Sequence, residues 1–300
     1  MRKITYVLLA LPAIFSCSGS IDDTPMRQTV EFSVIHCKNG ISFDSGTVDM
    51  EFSVSAHLDD RGPATTDYAW NVKVSNKNGT WKSNSPIFWM NGRDITFFAV
   101  SPYIQPGMEN LCLSTAGEVP AVTYTAPESA VGQTDILAAH DTRDHGAVVL
   151  DFRHITSCIQ FVTGKDFQEG VSITEIELNG IYRQGTYRLD SDRWESLLDN
   201  GKSKISDIGF TMNGNIPEGT PISERYFFLP PQESDIEISI SIVENGVRET
   251  YTVPAGAIAW KAGKVYKYAI SYRGQKMSVS STESLTEDVT INIDDRNEIL

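Results

Sequence analysis

Ile236, Ile238, Ile240 and Ile242 alternate with Glu237, Ser239 and Ser241, and this period of two dominates the chain. Val48, Met50, Phe52, Val54 and Ala56 alternate with Asp49, Glu51, Ser53 and Ser55, and Trp70, Val72 and Val74 with Asn71 and Lys73. Successive side chains of a strand point to opposite faces, so such runs predict strands with one buried and one wet face, as in antiparallel sheets. Residues 95–100 (ITFFAV) are apolar at successive positions, which suits a central strand covered on both faces. No stretch sustains a 3.6-residue period; Trp194, Leu197 and Leu198 support one short helix at most. Asn-Gly pairs at residues 39–40, 78–79, 91–92, 179–180, 200–201, 213–214 and 245–246 mark tight turns between strands. The expected fold is therefore all-β.

The N-terminus reads as an export signal. Arg2 and Lys3 precede an apolar stretch over residues 6–15, too short to span a bilayer, and Ser16 puts a small residue before Cys17. This layout is that of a bacterial lipoprotein signal, in which the cysteine thiol accepts a diacylglyceryl group. Cys17 is thus the expected lipidation site, holding the protein to the outer membrane through its N-terminus, with residues 1–16 removed and 17–28 serving as a tether. Two of the 25 basic residues, Arg2 and Lys3, leave with the signal, so the mature chain carries 23 basic against 39 acidic residues. Such a surface disfavours nucleic acid and anionic lipid as partners. Cys37, Cys112 and Cys158 remain, and one disulfide with a free thiol or three free thiols are both open.

The polar run of residues 139–146 divides the chain into an N-terminal sandwich over 29–145 and a C-terminal one over 146–274. A tail over 275–300 follows. In that tail Val289, Ile291 and Ile293 alternate with Thr290 and Asn292, a strand at the chain end that must find an edge to pair with. Apolar parity switches from Val148, Leu150 and Phe152 to Ile155, Ile159 and Phe161, which predicts a bulge or bend around Arg153-His154. His140, Asp141, Asp144 and His145 form the one dense His/Asp group, but they sit in a Gly-terminated polar turn and read as a solvated linker rather than a metal site. His154 reads as a structural histidine. Trp70, Trp81 and Trp89 fall at strand-like spacing, which favours core packing over sugar stacking. No nucleophile elbow or phosphate loop occurs, and neither an enzyme, a metal nor a cofactor is expected.

Several ordered segments resemble the Bacteroides-type fimbrillin family. They are the lipoprotein head ending Phe15-Ser16-Cys17, residues 30–34 (VEFSV), 95–103 (ITFFAVSPY), 135–139 (DILAA), 149–154 (VLDFRH), 227–232 (FFLPPQ) and 260–266 (WKAGKVY). They cover nearly the whole chain; where the family often has Ala-Leu-Ser after the histidine, this chain has Ile155-Thr156-Ser157. The resemblance implies two tandem transthyretin-like β-sandwich domains in a non-enzymatic subunit of surface fimbriae. It further implies an envelope trypsin-like protease that cuts after a basic residue, release of the first strand, and entry of a terminal strand from another copy or related subunit. Carried onto this sequence, the cut falls after Arg61, with Arg27 as the alternative that would release only a tether. The donor strand is Val289, Ile291 and Ile293, with residues 277–281 as an additional segment. A monomeric surface lipoprotein that binds glycan or a host protein is the alternative reading.

Overall fold

The computed structural model describes residues 28–35, 51–58, 66–214 and 216–282. In chain order its strands are β1 (Glu31–Ile35), β2 (Glu51–Leu58), β3 (Thr66–Lys77), β4 (Thr80–Ser83), β5 (Ile95–Ser101), β6 (Leu111–Leu113), β7 (Ala121–Thr125), β8 (Leu137–Arg143) and β9 (Ala147–Asp151). There follow β10 (Arg153–His154), β11 (Ser157–Phe167), β12 (Ser172–Arg188), β13 (Arg193–Thr211), β14 (Phe227–Leu229), β15 (Gln232–Glu244), β16 (Val247–Trp260), β17 (Val265–Arg273) and β18 (Lys276–Thr282). A single 3-10 turn, Ala130–Gly132, is the one helical element among the described residues. The all-β expectation holds.

Two cores organise these strands. An eight-stranded sheet in the order β10-β8-β5-β2-β3-β4-β1-β9 wraps the first, which contains Val30, Phe32, Phe52, Val54, Phe97, Leu150 and Phe152. Its end strands β9 and β10 are separated in the chain by Phe152 alone, so the sheet must curl until its ends approach one another. The second core lies between the β16-β15-β12-β7-β6 sheet, with β13 on the far side of β12, and the β14-β11-β17-β18 sheet. Around the expected division after residue 145, β9 and β10 follow it in sequence yet complete the first sheet, whereas β6 and β7 precede it and join the second unit.

The parity switch has a clear structural origin. Val148, Leu150 and Phe152 are buried in the first core, and Ile155, Ile159 and Phe161 in the second. The chain changes sheets here, so the side chains change partners as well as parity.

Three sequence expectations need correction. The second face of β2 is not wet: Ser53, Ser55 and His57 are all buried. The segment after β5 crosses that face, where Ser53 Oγ accepts the Ile104 N–H at 2.9 Å and Asn71 Nδ2 donates to the Ile104 carbonyl at 2.9 Å. His57 lies edge-on to Trp70 and Phe98. Asn179-Gly180 and Asn200-Gly201 are not turns but lie inside the β12–β13 hairpin, where Tyr182 pairs with Asn200 and the register shifts between Asn179 and Ile181. Gly180, at φ +79°, takes up that bulge. Trp194, Leu197 and Leu198 belong to β13, not to a helix.

Candidate functional site

The first strand of the described chain is held in a slot of its own sheet. Residues 28–30 pair with the segment before β5: the Val30 N–H donates to the Ile87 carbonyl at 2.8 Å, and the Trp89 N–H to the Gln28 carbonyl at 2.9 Å. Further along, Phe32 pairs with Trp81 of β4, and β1 runs parallel to β9 from Glu31 opposite Ala147 to Ile35 opposite Asp151. Alternation then sorts the side chains. Val30 and Phe32 are buried and Val34 packs against the same core, while Glu31, Ser33 and Ile35 face outward. Phe32 is the aromatic anchor, edge-on to Phe52 at 6.4 Å and to Phe97 at 6.0 Å. Trp81 closes the slot from the β4 side, 5.2 Å from Phe52.

The opposite wall, β9, has an unusual position. Only residues 144–146 separate it from β8, a spacing that suits a hairpin. Yet β8 pairs with β5 and β10, and among the described residues β1 is the strand that pairs with β9. At the seam, the Asp141 carboxylate accepts the Val149 N–H at 2.8 Å and the Arg143 Nε–H at 2.5 Å.

The rest of the His/Asp group is dispersed. His140 Nε2 lies 3.1 Å from Asp192 at the tip of the β12–β13 hairpin, and His145 pairs with Asp144. Among the described residues no group of three or more His, Cys, Asp or Glu is arranged to hold a metal. His154 lies where the chain crosses between cores, its side chain largely covered and its Nδ1 against Asp135, which also accepts the Thr156 hydroxyl at 2.7 Å. That is a structural histidine in a satisfied network. Trp89 is buried, Trp81 packs on Phe52 and Trp70 on His57, so these rings serve packing. Cys112 is an exposed free thiol, and Cys158 is buried in β11.

Cys17, Arg27, Cys37, Arg61, Val289, Ile291 and Ile293 lie outside the described residues. Residues 277–281, the additional donor segment, lie in β18, which pairs antiparallel with β17 of the same chain from Arg273–Lys276 to Lys267–Thr282. What sequence reasoning missed is the Asp141–Val149 contact. A carboxylate in phase with Leu137 and Ala139, both in the first core, was the available signal.

The chain belongs to the fimbrillin-like family, whose sequence profile matches residues 39–292. No curated protein sequence matches it. Its fold is similar to that of a candidate cell adhesion protein from Bacteroides ovatus, with TM-score 0.61 and 18% identity over 86% of this chain and 96% of that one. A candidate cell adhesion protein from Bacteroides uniformis gives 0.56 and 15% over 85% and 97%. One from Bacteroides fragilis gives 0.50 and 13% over 88% and 99%. Identities this low speak for the fold alone.

Proposed function

We propose that this protein is the lipoprotein precursor of a cell-surface fimbrial subunit, and that β1 is a placeholder strand exchanged during assembly. The observation that carries the reading is the pairing of β1. β1 and the residue before it insert Phe32 and Val30 into a core otherwise built by later strands, and β1 is the described strand that pairs with β9. Withdrawing it opens a slot with unpaired main-chain groups on both walls, which an incoming strand can satisfy: hydrogen bonds supply affinity, and alternate side chains entering the core supply register. Membership of the fimbrillin-like family supports a fimbrial role.

In this reading Cys17 carries the lipid that delivers the chain to the outer membrane, and an envelope trypsin-like protease cuts after Arg61. That cut puts β1 and β2 on the released side, and the opening left in the sheet then receives Val289, Ile291 and Ile293 of another copy or a related subunit. Donor and acceptor surfaces differ, so the contact propagates into a filament rather than closing. Residues 277–281 are engaged by β17, and the donor in this reading is the segment beyond β18. Treating the full mature chain with a trypsin-like protease and running it unboiled on a denaturing gel tests the whole. A ladder of heat-labile multimers is expected, whereas a trimmed protein that remains monomeric at high concentration overturns the reading.

A further inference from the structure

We infer that Asp141 is a positioning residue that holds β9, one wall of the slot, in place while β1 is absent. β9 is an end strand of the eight-stranded sheet, and its described backbone partner is β1. When β1 leaves, β9 loses every ladder bond those residues provide. Among the described residues its other ties are Val148, Leu150 and the following Phe152 in the first core, and a main-chain hydrogen bond from the Val149 N–H to the Asp141 carboxylate of β8.

The placement of Asp141 suits that task. β8 carries it opposite Phe97 of the neighbouring β5, in phase with the core residues Leu137 and Ala139, so it stands at the inner margin of the sheet. Arg143 fixes the carboxylate through its Nε–H. The side chain thus substitutes for the backbone carbonyl that a closed β8–β9 hairpin would offer. A hydrogen bond to an ionised acceptor is about twice as strong as a neutral one, and a side-chain acceptor does not depend on the strand being exchanged. The consequence for assembly rests on the strand-exchange reading; the hold on Val149 does not.

Amide hydrogen exchange on the full mature chain, before and after protease treatment, tests the assignment. D141A is expected to speed exchange at Val149 by ~10-fold or more, with a larger and wider loss of protection across residues 147–151 once β1 is gone. D141N keeps an acceptor oxygen and is expected to restore much of the protection; R143Q, which frees the carboxylate without removing it, should fall between. In the ladder assay D141A is expected to give several-fold less multimer at unchanged precursor folding, and D141N to recover it. Unchanged protection of Val149 in D141A overturns the inference. So does a D141N variant no better than D141A, or a D141A chain that assembles like wild type. A wild-type chain that never assembles sinks strand exchange instead, and the Val149 amide still decides the role of Asp141.

Discussion

Phe32 and Phe97 meet edge-on with ring centroids 6.0 Å apart, and this contact joins the first described strand to the centre of the sheet it completes. Phe97 has essentially no exposure and Phe32 very little, so the pair is core by any standard. Truncating a buried phenylalanine removes transfer energy and leaves a cavity, at a cost of about 3–5 kcal/mol. F32A is therefore expected to lower precursor stability by about that amount in urea unfolding. If β1 is only a placeholder, the multimers formed after processing should be unaltered, because they no longer contain residue 32. An F32A protein with a weakened precursor and equally weakened multimers would show that β1 stays in the assembled form.

Alternation alone placed β15 and the two-sided burial of β5, because a period of two leaves few ways to bury an isoleucine row. It failed where a partner outside the strand decided the outcome. Trp194, Leu197 and Leu198 mimic helical spacing because Ser196, at φ +56°, is a bulge that shifts parity within β13. Trp194 and Leu197 thereby lie over the same Gly185 across the hairpin, where a Cβ would come within 2.9 Å of each. The seam had the same difficulty. Asp141 sits in a run that reads as a polar turn but forms β8; its phase with Leu137 and Ala139 marks it as inward-facing, while its bond to Val149 depends on β8 and β9 taking different partners, which that phase does not announce.

Arg61 lies between β2 and β3, so a cut there puts both β1 and β2 on the released side. β2 is a central strand paired to β3 and β5, with Phe52, Val54 and Ala56 showing no exposure. Its removal would expose far more of the core than loss of β1. Mass spectrometry of the N-terminus after processing distinguishes the possibilities. A new terminus at Gly62, abolished by R61A, is the expected result. A terminus at Asn39 would move the cut to Lys38, between β1 and β2, and release β1 alone.

Tyr124 is fully buried and donates its hydroxyl to the Phe228 carbonyl at 3.1 Å. Burial pushes its ionisation well above the usual phenol range; a backbone hydrogen bond from Thr134 opposes the shift and the Asp135 carboxylate adds to it. The folded state thus keeps the proton longer than the unfolded chain, whose phenols ionise near pH 10. Stability from the neutral phenol is full below that pH and is lost as pH rises above it. Each such group contributes about 1.4 kcal/mol per pH unit to the slope. Y124F should flatten the alkaline slope by roughly that amount while lowering stability at pH 8 by about 1 kcal/mol for the lost hydrogen bond. An unchanged slope would mean that the phenol at this position does not govern alkaline unfolding.

Truncation after Thr286 separates folding from assembly. β17 and β18 end at Arg273 and Thr282, and the second core is built from residues up to Tyr272, with Met277 and Val279 packed against it, all before the truncation point. The shortened chain should therefore unfold at the same urea midpoint as the full one and accept the same processing cut. Lacking Val289, Ile291 and Ile293, it has nothing to offer the slot of the next copy and should give no ladder. Mixed with full-length processed protein it should still accept a donor, and so terminate chains and shorten the ladder in proportion to its share. Normal multimers from the truncated chain alone would move the donor to another segment, and a ladder unaffected by mixing would show that the slot is not where subunits join.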